Sequence, residues 1–251
     1  MAQEKEEKEK NIAVSVKNLH ITYRGLKKTS IRASWKHLGD KVELFHALKG
    51  VSFDIEEGRI LGIIGKNGSG KSTMLRAIAG IFSPDKGKID LHGHSISLLS
   101  IGVGFNPKLT GKENIYLSGM LLGFSEEEIA QKEKEIIEFA DIGDFIKRPV
   151  KTYSSGMYSK LAFAITAILE TDIILIDEVL SVGDAKFKEK SYNKMKELIS
   201  DETRTVIIVS HSLDTIIELC DQVLWLNDGK VIKIGEPKQI VEEYKKYMQS
   251  L

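Results

Sequence analysis

A short apolar run, Ile60-Leu-Gly-Ile-Ile64, passes without a break into Gly65-Lys-Asn-Gly-Ser-Gly70-Lys71-Ser72. Residues Ser72 to Ile81 then place Leu75, Ile78 and Ala79 on one side of a helix. A buried strand, a glycine-rich loop and a helix in direct succession leave few alternatives. The glycines let the backbone curl until successive N–H groups point inward, and the helix start adds unpaired N–H groups and a positive dipole end. The spacing is the full G-x-x-x-x-G-K-S phosphate-loop pattern. Gly65, Lys66, Asn67, Gly68, Ser69, Gly70, Lys71, Ser72 and Thr73 are therefore candidate nucleotide contacts, with Lys71 on the outer phosphates and Ser72 on Mg²⁺.

The remaining chain surrounds this unit with more α/β pattern. Asp172–Asp177 and Val206–Val209 are continuous Ile/Val/Leu runs of the kind that parallel strands show when covered on both faces. Asp177-Glu178 closes the first run and Ser210-His211 follows the second. Carboxylates at such strand ends lie beside the phosphate loop in an open α/β sheet. Asp177 is thus a candidate Mg²⁺ ligand and Glu178 a candidate base or water-orienting group. Strands are also expected over Ile12–Tyr23, Ala47–Ile55, Ile89–Leu91 and Ile96–Leu99, and a hairpin around Asn227-Asp-Gly229. Helices are expected around Phe187–Ile199 and after Pro237. Residues 110–169 are helical in texture: Ser125-Glu-Glu-Glu128 is a capping box, Ile129, Ile136, Ile137 and Ala140 share a face, and a second helix runs from Gly156 to Leu169.

Composition narrows the function classes. Lys plus Arg equal Asp plus Glu at 36 each, so the chain lacks the basic excess of a nucleic-acid binder. One cysteine, Cys220, excludes an intramolecular disulfide and a multi-Cys metal cage. The first residues, MAQEKEEKEK, read as neither a secretory leader nor an anchor, and no apolar run approaches the roughly 20 residues of a membrane-spanning helix. The expected fold is α/β: a phosphate-loop core with a mostly parallel sheet, an antiparallel β subdomain and an inserted helical subdomain at about 108–168, all within one domain over 1–251. A basic insert at about 24–46 carries Arg24, Lys27, Lys28, Arg32, Lys36 and Lys41.

The ordered set GKNGSGKST at 65–73, YSSGM at 153–157, ILIDE at 174–178, SVGD at 181–184 and SH at 210–211 resembles the ATP-binding cassette family, over nearly the whole chain. The resemblance implies ATP and Mg²⁺ as cofactors and a head-to-tail homodimer with two ATP molecules at its interface. Ser154, Ser155, Gly156 and Met157 match the signature segment that contacts the γ-phosphate of the other subunit. Tyr23 matches the position that stacks on adenine, Asp184 the loop coupling the two sites, and His211 the switch histidine beside Glu178 in catalysis. Three departures stand out. Ser155 and Met157 replace Gly and Gln, Lys160 replaces Arg, and Asn106 replaces the Gln that contacts Mg²⁺ or water.

Within the family, the segments 105–114, 149–157 and 177–184 look like exporters of lipid-linked cell-surface polymers, most like those of wall teichoic acid, with O-antigen and capsule exporters as the alternative. That likeness implies a polytopic membrane permease as partner and a lipid-linked anionic polymer as cargo. It also implies a peripheral place on the cytoplasmic face of a bacterial, Gram-positive, cell membrane. The apolar residues Leu117, Met120, Leu121, Leu122 and Phe124 mark Thr110–Ile146 as the surface that receives the permease. The basic insert would face anionic headgroups or the cargo's pyrophosphate. A soluble DNA- or ribosome-associated ATPase is the competing class; neither a second cassette nor a long coiled coil is visible to favour it.

Overall fold

The computed structural model describes residues 11–24, 44–99, 104–177 and 184–250. The expectations for residues 25–43 of the basic insert, for Glu178 and for 181–183 lie outside the described residues. Two sheets form. The larger has the order β5-β6-β7-β3-β8-β9, built from β3 (Ile60–Ile64), β5 (Ile96–Leu99), β6 (Ile173–Asp177), β7 (Thr205–Val209), β8 (Gln222–Asn227) and β9 (Lys230–Gly235). All its neighbours run parallel except the β8–β9 hairpin. The smaller is antiparallel with the order β2-β1-β4, from β1 (Ile12–Arg24), β2 (Leu44–Glu56) and β4 (Lys86–Asp90). This is the mixed architecture expected from the sequence.

Side-chain alternation assigns each central strand to two cores. Ile63, Leu175, Ile207 and Leu224 point into a core shared with the antiparallel sheet and with α1 (Lys71–Ile78), where they meet Val14, Leu48, Met74 and Leu75. Ile64, Ile174, Ile208 and Val223 point the other way, toward α5 (Ala185–Ile199), α6 (Leu213–Leu219) and α7 (Pro237–Gln249). Both faces are covered, which is why these strands carry unbroken apolar runs. Each fully buried Leu or Ile contributes about 1.5–3 kcal/mol, so the strands feeding the site are its most strongly fixed part.

A third core belongs to the helical block. There α2 (Gly111–Leu121), α3 (Glu126–Ala140) and α4 (Ser155–Ile168) close around Ile115, Ile129, Ile136, Leu161, Ile165 and Ile168. The Ser125 box forms as its spacing requires: Ser125 Oγ accepts from Glu128 N at 3.3 Å, and Glu128 Oε2 accepts from Ser125 N at 2.8 Å. A second box, Thr110 with Glu113, starts α2. The Ser125 backbone N–H and hydroxyl hold the Glu128 carboxyl below its ordinary pKa. That contribution is present above the ordinary carboxylate range and is lost as the pH falls through the lowered value. Ser125→Ala is expected to cost about 1 kcal/mol, read as a lower urea midpoint at unchanged slope; an unchanged midpoint would contradict the capping role.

Candidate functional site

The sheet register gathers the site. Asp177 pairs with Val209, and Val209 pairs with Ile63, so the C-terminal ends of β6, β7 and β3 form one row. Asp177, Ser210-His211 and the Gly65–Ser72 loop therefore emerge together at one edge of the sheet. The loop ends in Gly70, whose φ of 107° is left-handed, and a Cβ there would come within 2.7 Å of Ala47 O. A side chain at this position would clash and strain the turn into α1.

Lys71 lies back along the loop. Its Nζ donates to Gly65 O at 2.6 Å and Lys66 O at 3.1 Å, and the residue is 7% exposed. Burial lowers its pKa from the usual lysine value, while the Asp177 charge pulls the other way. An ammonium buried among carbonyl oxygens is a site that an arriving phosphate would complete with its negative charge. Ser69 Oγ is buried with no hydrogen-bond partner in the same loop, a further group left for a ligand to satisfy.

Above the loop lies a cleft lined by Phe45, Ala47, Asn67, Gly68, Gly70, Lys71, Ser72, Thr73 and His211. Tyr23 does not line it. Its hydroxyl is 3.0 Å from Thr73 Oγ1, and its ring packs edge-on against Phe82 with centroids 5.9 Å apart. Phe45, directly across from Tyr23 in the β1–β2 register, lines the cleft and is 56% exposed, against 37% for Tyr23. Asn106 is likewise absent from the cleft. Its Oδ1 accepts from Lys108 N at 3.0 Å, and its backbone N–H donates to the buried Asn114 at 2.7 Å. Its amide oxygen thus closes a turn of its own loop.

The residues 154–157 stand elsewhere on the chain. Ser154 caps α4, its Oγ accepting from Met157 N at 3.2 Å, and a Cβ on Gly156 would meet nothing closer than 3.8 Å. The start of α4 is an open, exposed helix N-terminus that borders no part of the cleft. Asp184 caps α5 and pairs with Lys160 Nζ at 2.7 Å, joining α4 to the segment that follows β6. Lys160 also lies 5.2 Å from the centre of the Phe187 ring.

The donor set fits Mg²⁺ delivered with a nucleotide. Ser72 Oγ donates to Asp177 Oδ1 at 3.2 Å, a hydroxyl and a carboxylate side by side below the cleft. Among the described residues no cluster of three His, Cys, Asp or Glu could cage a metal alone. Mg²⁺ is commonly held by one or two protein oxygens, with phosphates and water completing the octahedron. Ser72 and Asp177 would hold such an ion, which when bound supplies charge neutralisation at the phosphate oxygens.

The family model for ABC transporters matches residues 48–181. The ABC transporter protein AbcA of Aeromonas salmonicida is 43% identical over 219 residues, covering 86% of this chain and 71% of that protein. The O-antigen export system ATP-binding protein RfbB of Klebsiella pneumoniae is 42% identical, covering 80% of this chain and 82% of its own length. The teichoic acids export ATP-binding protein TagH of Bacillus anthracis is 46% identical, covering 82% of this chain but only 37% of the relative. The chain thus spans under half of some relatives and most of others, and it is not distinguishably closer to either kind of exporter subunit. A dimeric ATP-binding cassette in a post-hydrolysis state, bound to ADP and Pi, aligns with TM-score 0.66 at 25% identity, covering 89% of this chain and 98% of that one.

The chain belongs to the ABC transporter family. Within it, the chain is an ATP-hydrolysing subunit carrying the nucleotide site described above.

Proposed function

We propose that two copies of this chain close head to tail around two ATP molecules and power a separate membrane permease. The observation that carries the reading is the one-sided nucleotide site. The phosphate loop, Asp177 and His211 line or adjoin an open cleft, while the capped N-terminus at Ser154–Met157 faces outward on a different surface of the same chain. A second copy turned head to tail brings that helix start onto the phosphates, where its N–H groups and dipole stabilise the growing charge. Phe45 offers its ring to the adenine, with Tyr23 bracing Thr73 at the start of α1. His211 then contacts the γ-phosphate side, and Glu178 orients the attacking water.

The permease contact falls on α2. Met120 is 49% and Leu121 58% exposed, an apolar pair that the helical core leaves uncovered, whereas Leu122 is buried and Phe124 packs against that core. No helix among the described residues is long and apolar enough to cross a membrane, and the reading assigns the pathway to the permease. The cargo of this reading is a lipid-linked anionic cell-surface polymer of the wall teichoic acid kind; TagH and RfbB among the relatives support export of a cell-surface polymer, and the motif variants at 105–114, 149–157 and 177–184 support the teichoic acid choice over O-antigen or capsule. The complex would sit on the cytoplasmic face of a Gram-positive membrane.

Proteoliposomes of the complex purified through this chain test the reading. ATP turnover should rise with lipid-linked teichoic acid precursor and stay basal with O-antigen or capsule precursors. Stimulation by O-antigen precursor alone would reassign the cargo, and no co-purifying membrane protein would contradict the transporter reading.

A further inference from the structure

The turn joining β8 to β9 touches the phosphate loop without lining the nucleotide cleft. Gly229 N donates to Ser69 O at 3.0 Å, and Gly229 O accepts from Lys49 N at 2.8 Å. Asp228 Oδ1 pairs with Lys49 Nζ at 2.9 Å. The same hairpin backbone also presses on the start of the loop, since a Cβ on Gly65 would overlap Leu226 O. Asp228 and Gly229 both have left-handed φ, 45° and 74°, and a Cβ on Gly229 would come within 2.6 Å of Ala47 O. One turn therefore fastens the phosphate loop to β2, the strand that carries Phe45 and Ala47.

Behind the turn stands the last helix. Asn227 Nδ2 donates to Tyr247 Oη at 3.2 Å, and the Trp225 ring lies against Tyr247 and Tyr244 with centroids 5.1 and 5.6 Å apart. Trp225 Nε1 and Asn227 Oδ1 are both buried without a hydrogen-bond partner. Among the described residues the hairpin is held to α7 by this ring packing, by the Asn227–Tyr247 bond next to the turn and, farther along β9, by Lys233 Nζ on Glu243 Oε1 at 2.6 Å, so a shift of α7 is passed to the turn through Tyr247.

We propose that the β8–β9 turn positions the phosphate loop for nucleotide, and that α7 sets the turn through Tyr247. Tyr247, Asn227 and Gly229 are positioning residues; none reaches the cleft. The proposal rests on the nucleotide reading above. It predicts a change in ATP affinity without a change in chemistry, because Asp177 and His211 come from β6 and the end of β7. Whatever binds α7 would then tune ATP affinity from the far side of the sheet.

Steady-state ATPase and amide exchange on the full chain test this. Tyr247→Phe keeps the ring and removes the hydroxyl. It should raise KM for ATP about three- to fivefold with kcat within about twofold, and quicken exchange across residues 227–230 in the nucleotide-free protein. Gly229→Ala should raise KM about tenfold or more; if it fails to fold, Tyr247→Phe still decides. Unchanged KM and exchange in folded Tyr247→Phe, or a fall in kcat at constant KM, would overturn the proposal. Wild-type protein run alongside separates the two readings. Normal wild-type turnover with unmoved variants defeats only the positioning role, whereas a wild type that binds no ATP defeats both.

Discussion

Lys71→Ala should weaken Mg·ATP binding about a hundredfold while leaving the fold intact. The lysine is the one lysine or arginine among the described residues that line the cleft, and its ammonium lies back on the carbonyls of Gly65 and Lys66 in the phosphate loop. A hydrogen bond to a charged group is worth about 1.5–3 kcal/mol, and each 1.4 kcal/mol is a factor of ten in affinity. Two such bonds to outer phosphates account for the expected loss. Stability moves little, because removing a buried charge offsets the lost loop contacts. Calorimetric titration with Mg·ATP, beside a thermal melt, measures both. Wild-type affinity in a folded Lys71→Ala protein would remove Lys71 from the site.

Glu178→Gln should keep ATP binding and lower kcat by about 10²–10⁴-fold, the range for losing a general base. Asp177 accepts from Ser72 Oγ at the sheet edge. Glu178 is the next residue of the chain, and an amide there keeps size and polarity while losing basicity. Its two neighbours in the proposed reaction remain: charge stabilisation by Lys71 and the ion, and the opposing helix start at Ser154. Rapid-quench turnover with radiolabelled ATP gives the rate. Wild-type turnover in Glu178→Gln would assign the base elsewhere.

Much of this site is legible in the chain because its physics is local. The phosphate loop needs glycines at fixed offsets, and β3, β6 and β7 need both faces apolar, so each announces itself in a few consecutive residues. The C-terminal edge then follows from strand direction alone. What the sequence hides depends on register or on short elements. Phe45 reads as an ordinary strand aromatic until the bulged β1–β2 pairing sets it beside Tyr23. Helix α6 is seven residues, too short for a helical period to stand out, although Ser212 caps it through Thr215. The hold on the Asn106 loop is equally hidden: the buried Asn114, eight residues on, accepts from Asn106 N and donates to three carbonyls. The Gly229–Ser69 bond joins residues 160 apart and leaves no pattern in either segment.

The head-to-tail site is tested most directly by the mass of Glu178→Gln in solution. With hydrolysis slowed as expected above, ATP should stay bound and any nucleotide-bridged pair should persist. Light scattering should give the monomer mass without nucleotide and twice that mass with Mg·ATP, and Ser154→Arg at the opposing helix start should return the ATP-bound protein to monomer. A monomer in both states, or a dimer indifferent to both ATP and Ser154→Arg, would contradict a site completed by a second copy.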